Sequence, residues 1–281
     1  SPILGPGVDA GLSPLRNELA QDWSHEYEYP LADHSDLARV AQYLSVNYDP
    51  LYAKEKIQEQ LEAVDKPNFS DPVQPHAALA DLDLPIYITT NYDNFMLDAL
   101  QARRKDPQLE LCRWNSELLR SYPSVLETGY SPTPAQPLVY HLHGHYDSPE
   151  SLVLTEDDYL DFLVNISSEE YRLPARIQQS LTGASLLFLG YNPTDWDFRV
   201  LFRGLVAATE SSLRRISVTV QLPPLPDGTP DAVQQKVQQF LNDYFGSVDN
   251  RMRVYWGSTQ QFINALAARW QGNQVKERDQ V

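Results

Sequence analysis

Six short apolar runs, each halting at a polar or glycine-rich turn, constrain this chain more than any other feature. They are PIL (2–4), LPIYITT (84–90), PLVYHLH (137–143), SLLFLG (185–190), ISVTVQL (216–222) and MRVYWG (252–257). Runs this short and this apolar suit parallel strands covered on both faces. Helical patterns lie between and after them, at DNFMLDALQARR (93–104), TEDDYLDFLVNI (155–166), TDWDFRVLFRGLV (194–206), DAVQQKVQQFLNDYF (231–245) and STQQFINALAARW (258–270). Asp93 and Ser258 stand at cap positions, and Thr155 does so with Asp158 as an imperfect capping box. The 93–104 helix is expected to turn Phe95, Leu97 and Leu100 inward with Met96 on a flank. The last helix is expected to bury Phe262, Leu266 and Ala267.

Strands alternating with helices predict an α/β fold built on a doubly wound, mainly parallel sheet. The strand-poor stretch at about 12–80 reads as a helical insertion on that sheet, and a smaller one is expected at about 102–130. LPPLPDGTP (222–230) reads as a rigid surface loop. Residues 1–281 are taken as a single domain, and the opening SPILGPG, without Met, as a sign that it belongs to a longer multidomain chain.

Composition narrows the function classes. A net charge of −16 argues against direct nucleic-acid binding, because the phosphate backbone favours Lys and Arg. The single cysteine, Cys112, removes any disulfide framework or cysteine-based zinc site and is compatible with a reducing cytoplasm. No apolar run approaches the roughly 20 residues that span a bilayer, and no signal peptide is visible.

Ligands of open α/β sheets bind beyond the carboxyl ends of the strands. The first four runs end there in GPGVD (5–9), TTNYD (89–93), HLHGHYD (141–147) and GYNPTDWD (190–197), four loops that look like one site. In the first, glycines let backbone N–H groups approach a phosphate, although a plain tight turn explains them equally. In the second, Asn91 follows two threonines and its amide can hold a ribose hydroxyl or orient a water, while Asp93 also suits the helix cap. In the fourth, Gly190 and Tyr191 are the candidates for ligand contact; Asn192 or Thr194 can cap the next helix, with Asp195 and Asp197 favouring its N-terminus.

The stretch HLHGHY holds three of the six histidines. Strand alternation turns Tyr140 and Leu142 away from His141 and His143. Gly144 then breaks the strand and leaves His143 at its tip, where an imidazole of unperturbed pKa near ~6.5 suits a general base. A metal site would need His141, His143 and a third ligand, which His145 supplies only if the chain bends back. An inert structural role is the third reading.

Taken together, GPGVD, TTNYD, the HG pair at 143–144 and LGYNPTD (189–195) resemble, in that order, the motif series of the sirtuin-like NAD-dependent enzymes. YITTNYDN, VYHLHG, LVLTEDDY and FLGYNPTDWD are most similar to the bacterial antiphage branch of NAD hydrolases. Pro6 and Asp9 stand where that pattern has Ala and Ser, and Arg16 has no clear counterpart. One cysteine cannot build the four-cysteine zinc module of sirtuin deacetylases.

The resemblance implies a sirtuin-like Rossmann domain without that module, with NAD as substrate and no metal. It implies cleavage of the nicotinamide–ribose bond, with Asn91 orienting water or ribose and His143 as base. Gly5, Gly7 and Asp9 would line the pyrophosphate and ribose, Thr90 and Asp93 the ribose side, and Gly190 and Tyr191 the adenosine half. It also implies a cytoplasmic defence effector that depletes NAD, working as a homo-oligomer or with flanking sensor domains or proteins. The alternatives are an NAD-dependent protein deacylase or ADP-ribosyltransferase, a non-catalytic nucleotide-binding module, and a metal hydrolase using the histidines.

Overall fold

A computed structural model describes residues 1–9, 16–166, 168, 173–183, 185–191, 198, 218–222, 229–246 and 252–278. The elements run β1 (Pro2–Leu4), α1 (Arg16–Glu26), α2 (Leu37–Asn47), α3 (Tyr52–Ala63), α4 (Pro75–Ala80), β2 (Ile86–Thr89) and α5 (Phe95–Ala102). They continue with β3 (Gln108–Leu111), α6 (Ser116–Ser121), β4 (Leu138–His141), α7 (Glu156–Ile166), α8 (Ala175–Gly183) and β5 (Leu186–Leu189). Last come β6 (Val218–Leu222), α9 (Asp231–Gly246), β7 (Met252–Trp256) and α10 (Thr259–Arg278). Apart from Phe198, Leu222, Thr229 and Pro230, the helix expected at 194–206 and the loop at 222–230 lie outside the described residues.

Seven strands form one sheet in the order β3-β4-β2-β1-β5-β6-β7, and each described pairing is parallel. The chain leaves β1 toward β2, β3 and β4 on one side, then returns to β5, β6 and β7 on the other. The direction of winding therefore reverses between β1 and β5, which is where such sheets open a ligand crevice at their carboxyl ends. Strands β1, β2 and β4 bury both faces, as their apolar runs require. Ile86, Ile88, Leu138, Tyr140 and Phe188 join one apolar layer with residues of α7 and α8. Tyr87, Val139 and Leu189 join the other with residues of α4, α5 and α10.

Three expectations need correction. First, the segment about 102–130 carries an edge strand, β3, paired to β4 with Glu110 opposite Tyr140. QLEL lacks the apolar run of the other strands because Glu110 is buried for a polar purpose: its carboxylate accepts from Val125 N at 2.8 Å. Second, the region 12–80 is not one unit. Helices α1–α3 bury Trp23, Val40, Leu44 and Ile57 with Leu152 and Leu154 in a core of their own, whereas α4 packs Leu79 and Ala80 into the second layer of the sheet. Third, Met96 is as buried as its neighbours on α5, and on α10 Ile263 is fully out of solvent while Phe262, Leu266 and Ala267 are only partly so. The capping boxes do form. Asp158 N donates to Thr155 Oγ1 at 3.1 Å and Thr155 N to Asp158 Oδ2 at 2.9 Å; Ser258 and Gln261 exchange the equivalent pair at 3.0 and 3.1 Å. No helix among the described residues is long and apolar enough to cross a membrane.

Candidate active site

The chain leaves β1, β2, β4 and β5 at the same edge of the sheet, and the described start of the β5 loop, Gly190 and Tyr191, lies against the β1 loop. Gly5 N donates to Leu189 O at 2.9 Å and Gly7 N to Gly190 O at 2.7 Å, carrying the pairing past the strands. Val8 N donates to Gly5 O at 3.1 Å, closing the turn over Pro6–Asp9. Gly190 has φ +73°, and a Cβ there would lie 2.4 Å from Val8 N, so no larger residue fits this approach. On Gly5, a Cβ would meet the Tyr191 ring at 2.7 Å. The N–H groups of Gly5, Gly7 and Val8 are thus engaged within the protein, and the glycines provide closeness between two loops. The Asp9 side chain lies outside what is described.

Hydroxyl groups pin the same floor. Tyr191 Oη donates to Leu4 O at 3.0 Å and lies 3.1 Å from Thr90 Oγ1, which itself reaches Leu4 O at 3.2 Å. Tyr191 is buried and stacks on Phe198, with ring centroids 5.0 Å apart. Thr90 and Tyr191 therefore tie β2 and β5 to the end of β1.

On the other side, β2 and β4 pair with Thr89 opposite His141, and Leu142 N donates to Thr89 O at 2.8 Å. Asn91 and His143 each lie two residues beyond that pair, past the ends of neighbouring strands, and both are buried. Asn91 N donates to Thr89 Oγ1 at 3.0 Å. Asp93 Oδ1 accepts from Phe95 N at 2.8 Å, closing the turn into α5. The two loops are stitched together by Tyr146 N to Tyr92 O at 2.9 Å, and Tyr92 Oη donates to Val153 O at 2.7 Å.

The three histidines separate. His141 Nδ1 donates to Asn91 O at 3.1 Å. Burial, and secondarily His145, lowers its pKa to about 3, so it is neutral. His145 Nε2 donates to Asn94 Oδ1 at 2.8 Å while its Nδ1 accepts from Asp147 N at 3.3 Å; burial lowers its pKa too. Both rings hold loops. His143 was expected to share a face with His141 by strand alternation. In the structure β4 ends at His141, and the turn lays the His143 ring against Tyr159 and Phe162 of α7, centroids 5.5 and 5.1 Å away. These rings belong to the apolar layer that also holds Leu142. Gly144, at φ +90°, permits this turn: a Cβ would sit 2.2 Å from Ser151 O. Among the described residues, no group of three His, Cys, Asp or Glu side chains is arranged to hold a metal ion.

The His143 wall is anchored beyond itself. Arg16 Nη2 donates to Tyr159 Oη at 2.7 Å, with the guanidinium 5.6 Å from that ring's centroid. Asp158, one residue earlier, pairs with Lys54 of α3 at 2.8 Å, both nearly buried. Tyr159 and Phe162 were readable as the inward face of an amphipathic helix, but nothing local in the sequence aimed that face at His143. His76 escaped notice altogether. It is fully buried on α4, its ring 5.9 Å from that of Phe95 and close enough to Asp93 to feel its charge. A lone histidine in an Ala-rich stretch far from the four loops gives no sequence signal. Asn192, Thr194, Asp195 and Asp197 lie outside the described residues.

Residues 85–246, which carry β2 through α9 and hence Asn91, His143, Gly190 and Tyr191, match the SIR2-like domain family. The chain is also similar to curated proteins named NAD(+) hydrolase ThsA. It is 27% identical to that of Enterococcus faecium over 184 residues, 63% of this chain and 34% of the relative. Against the Acinetobacter baumannii protein it is 25% identical over 195 residues, 69% and 36% of the two chains. Against that of Cytobacillus dafuensis it is 24% identical over 186 residues, 65% and 33%. The matched stretch spans about a third of each relative's length. Since the family match covers more than half of the chain, the chain belongs to the SIR2-like domain family.

Proposed function

We propose that this protein is an NAD glycohydrolase that cleaves the nicotinamide–ribose bond, giving nicotinamide and ADP-ribose. The observation that supports the reading is the burial of Asn91 and His143 just past the carboxyl ends of the paired strands β2 and β4, next to β1, where the winding of the sheet reverses. Its relatives' name, NAD(+) hydrolase, supports the choice of substrate.

In this reading nicotinamide departs with the electron pair of the C1′–N bond, leaving an oxocarbenium-like ribose. Asn91 orients the attacking water or the nicotinamide ribose through its amide. His143, held by the rings of α7, takes the proton that water loses as its oxygen bonds C1′. Asp93 holds the loop and faces the ribose side with Thr90. Gly5, Gly7, Asp9, Gly190 and Tyr191 shape the pyrophosphate and adenosine half, the glycines by closeness of backbone and not by free N–H groups. No metal enters the chemistry. We further propose a cytoplasmic effector that depletes NAD in antiphage defence, acting as one catalytic domain within a homo-oligomer or beside sensor segments that trigger it.

The test is nicotinamide and ADP-ribose production from NAD, with and without acylated peptide. Stoichiometric ADP-ribose that is indifferent to peptide is the expected result. Nicotinamide release that requires the peptide would overturn hydrolysis in favour of acyl transfer, and NAD bound without turnover by the triggered assembly would leave a binding module.

A further inference from the structure

His76 lies outside the four loops yet touches the turn that follows Asn91. It sits on α4, the helix that packs against α5, and its ring stands edge-on to Phe95, whose N–H closes the Asp93 turn. The state of that ring can be derived. Gln74 Oε1 accepts from Ala77 N at 2.8 Å, so the Gln74 side chain must present its Nε2–H to His76, and it does so at Nδ1, 3.0 Å away. Nδ1 is therefore an acceptor. Burial lowers the pKa to about 4, against an opposing pull from Asp93, so the ring is neutral and its proton is on Nε2. A buried N–H needs an acceptor, and the charged acceptor whose field acts on this ring is Asp93.

We propose that His76 is a positioning residue of the NAD-cleaving site, donating Nε2–H to the Asp93 carboxylate and thereby fixing the turn that carries Asn91. Gln74, which also caps α4, sets the tautomer. The chain of contacts then runs from Gln74 through His76 and Asp93 to Asn91, from a helix that holds no substrate group to a loop that does. A protonated His76 would lose the Gln74 bond, and an alanine would remove the ring's N–H from the Asp93 turn. The proposal rests on the reading of Asn91 as a catalytic group.

Two measurements test it separately from that reading. Long-range ¹H–¹⁵N spectra of His76 should show the Nε2–H tautomer with an acceptor Nδ1, unchanged from about pH 5.5 to 8, and a shifted Nε2 resonance in Asp93→Asn. An Nδ1–H tautomer, a ring titrating near ~6.5, or indifference to Asp93→Asn would overturn the contact, whether or not the wild type releases nicotinamide. In the active wild-type background, His76→Ala should lower kcat per folded molecule by about ten- to a hundredfold with KM little changed, as expected when a catalytic group is misplaced. His76→Gln, which keeps a donor at that reach, should recover most of it. Unaltered kcat in His76→Ala, or a His76→Gln no better than alanine, would refute a positioning role.

Discussion

The two flanks at the carboxyl edge of the sheet use buried polar groups for different ends. On the β1/β5 flank, the N–H groups of Gly5, Gly7 and Val8 and the hydroxyls of Thr90 and Tyr191 are engaged with neighbouring backbone. On the β2/β4 flank, His141 and His145 hold the loop that carries Asn91, bonding Asn91 O and Asn94 Oδ1. One flank is a floor made by close packing, and the other holds the two groups proposed to act on substrate, beside buried histidines. Substitutions on the first should register in stability, and those of Asn91 and His143 in turnover.

The largest effect would sharpen that contrast. His143→Gln, which keeps most of the buried volume against Tyr159 and Phe162, should lower nicotinamide release by about 10²–10⁴-fold, the range of general-base catalysis, with the thermal midpoint little changed. A comparable loss of stability would place His143 with the floor residues. Gly190→Ala should do the reverse. Its Cβ would meet Val8 N at 2.4 Å at a positive φ, and the unfolding free energy should drop by about 3 kcal/mol in denaturant titration. Lys54→Met should cost about 3 kcal/mol by leaving Asp158 buried without its cation; an unchanged denaturation midpoint would show that the α7 anchor is dispensable.

Acid should weaken the β2/β4 flank selectively. Burial holds His141 at about 3 and His76 at about 4 in the folded state, below the ~6.5 of an unfolded histidine. As pH falls under ~6.5 the unfolded chain takes up protons that the folded chain refuses, so stability is complete above that pH and declines until the folded rings titrate. Each histidine contributes up to about 1.4 kcal/mol per pH unit in that window. Urea midpoints between about pH 6.5 and 4 should follow this slope, and His141→Asn should flatten it. The smallest effect is Tyr191→Phe, about 1 kcal/mol of stability from the lost hydroxyl bonds. A raised KM for NAD with stability intact would move Tyr191 from floor to ligand contact.

What the sequence disclosed follows the reach of each signal. Six strands were legible as short apolar runs, and the Thr155–Asp158 box and the Ser258 cap because capping is local. Strand β3 was hidden because a four-residue edge strand holding Gln108 and Glu110 has no such run, and Glu110 finds its partner in a later turn. Asn91 and His143 stood out as polar groups just past buried strands. The rotation of His143 onto α7 was not legible, since it depends on Gly144 meeting Ser151. Nor was His76, whose importance arises only when α4 packs under the Asp93 turn.

The central claim is that Asn91 and His143 act on one nicotinamide riboside. A double-mutant cycle in kcat/KM for NAD, using Asn91→Ala, His143→Ala and both together, tests it most directly. Groups acting as a unit are strongly non-additive, so the double variant should be slowed no more than about threefold beyond the slower single. Losses that multiply, or wild-type turnover in either single variant, would contradict the account.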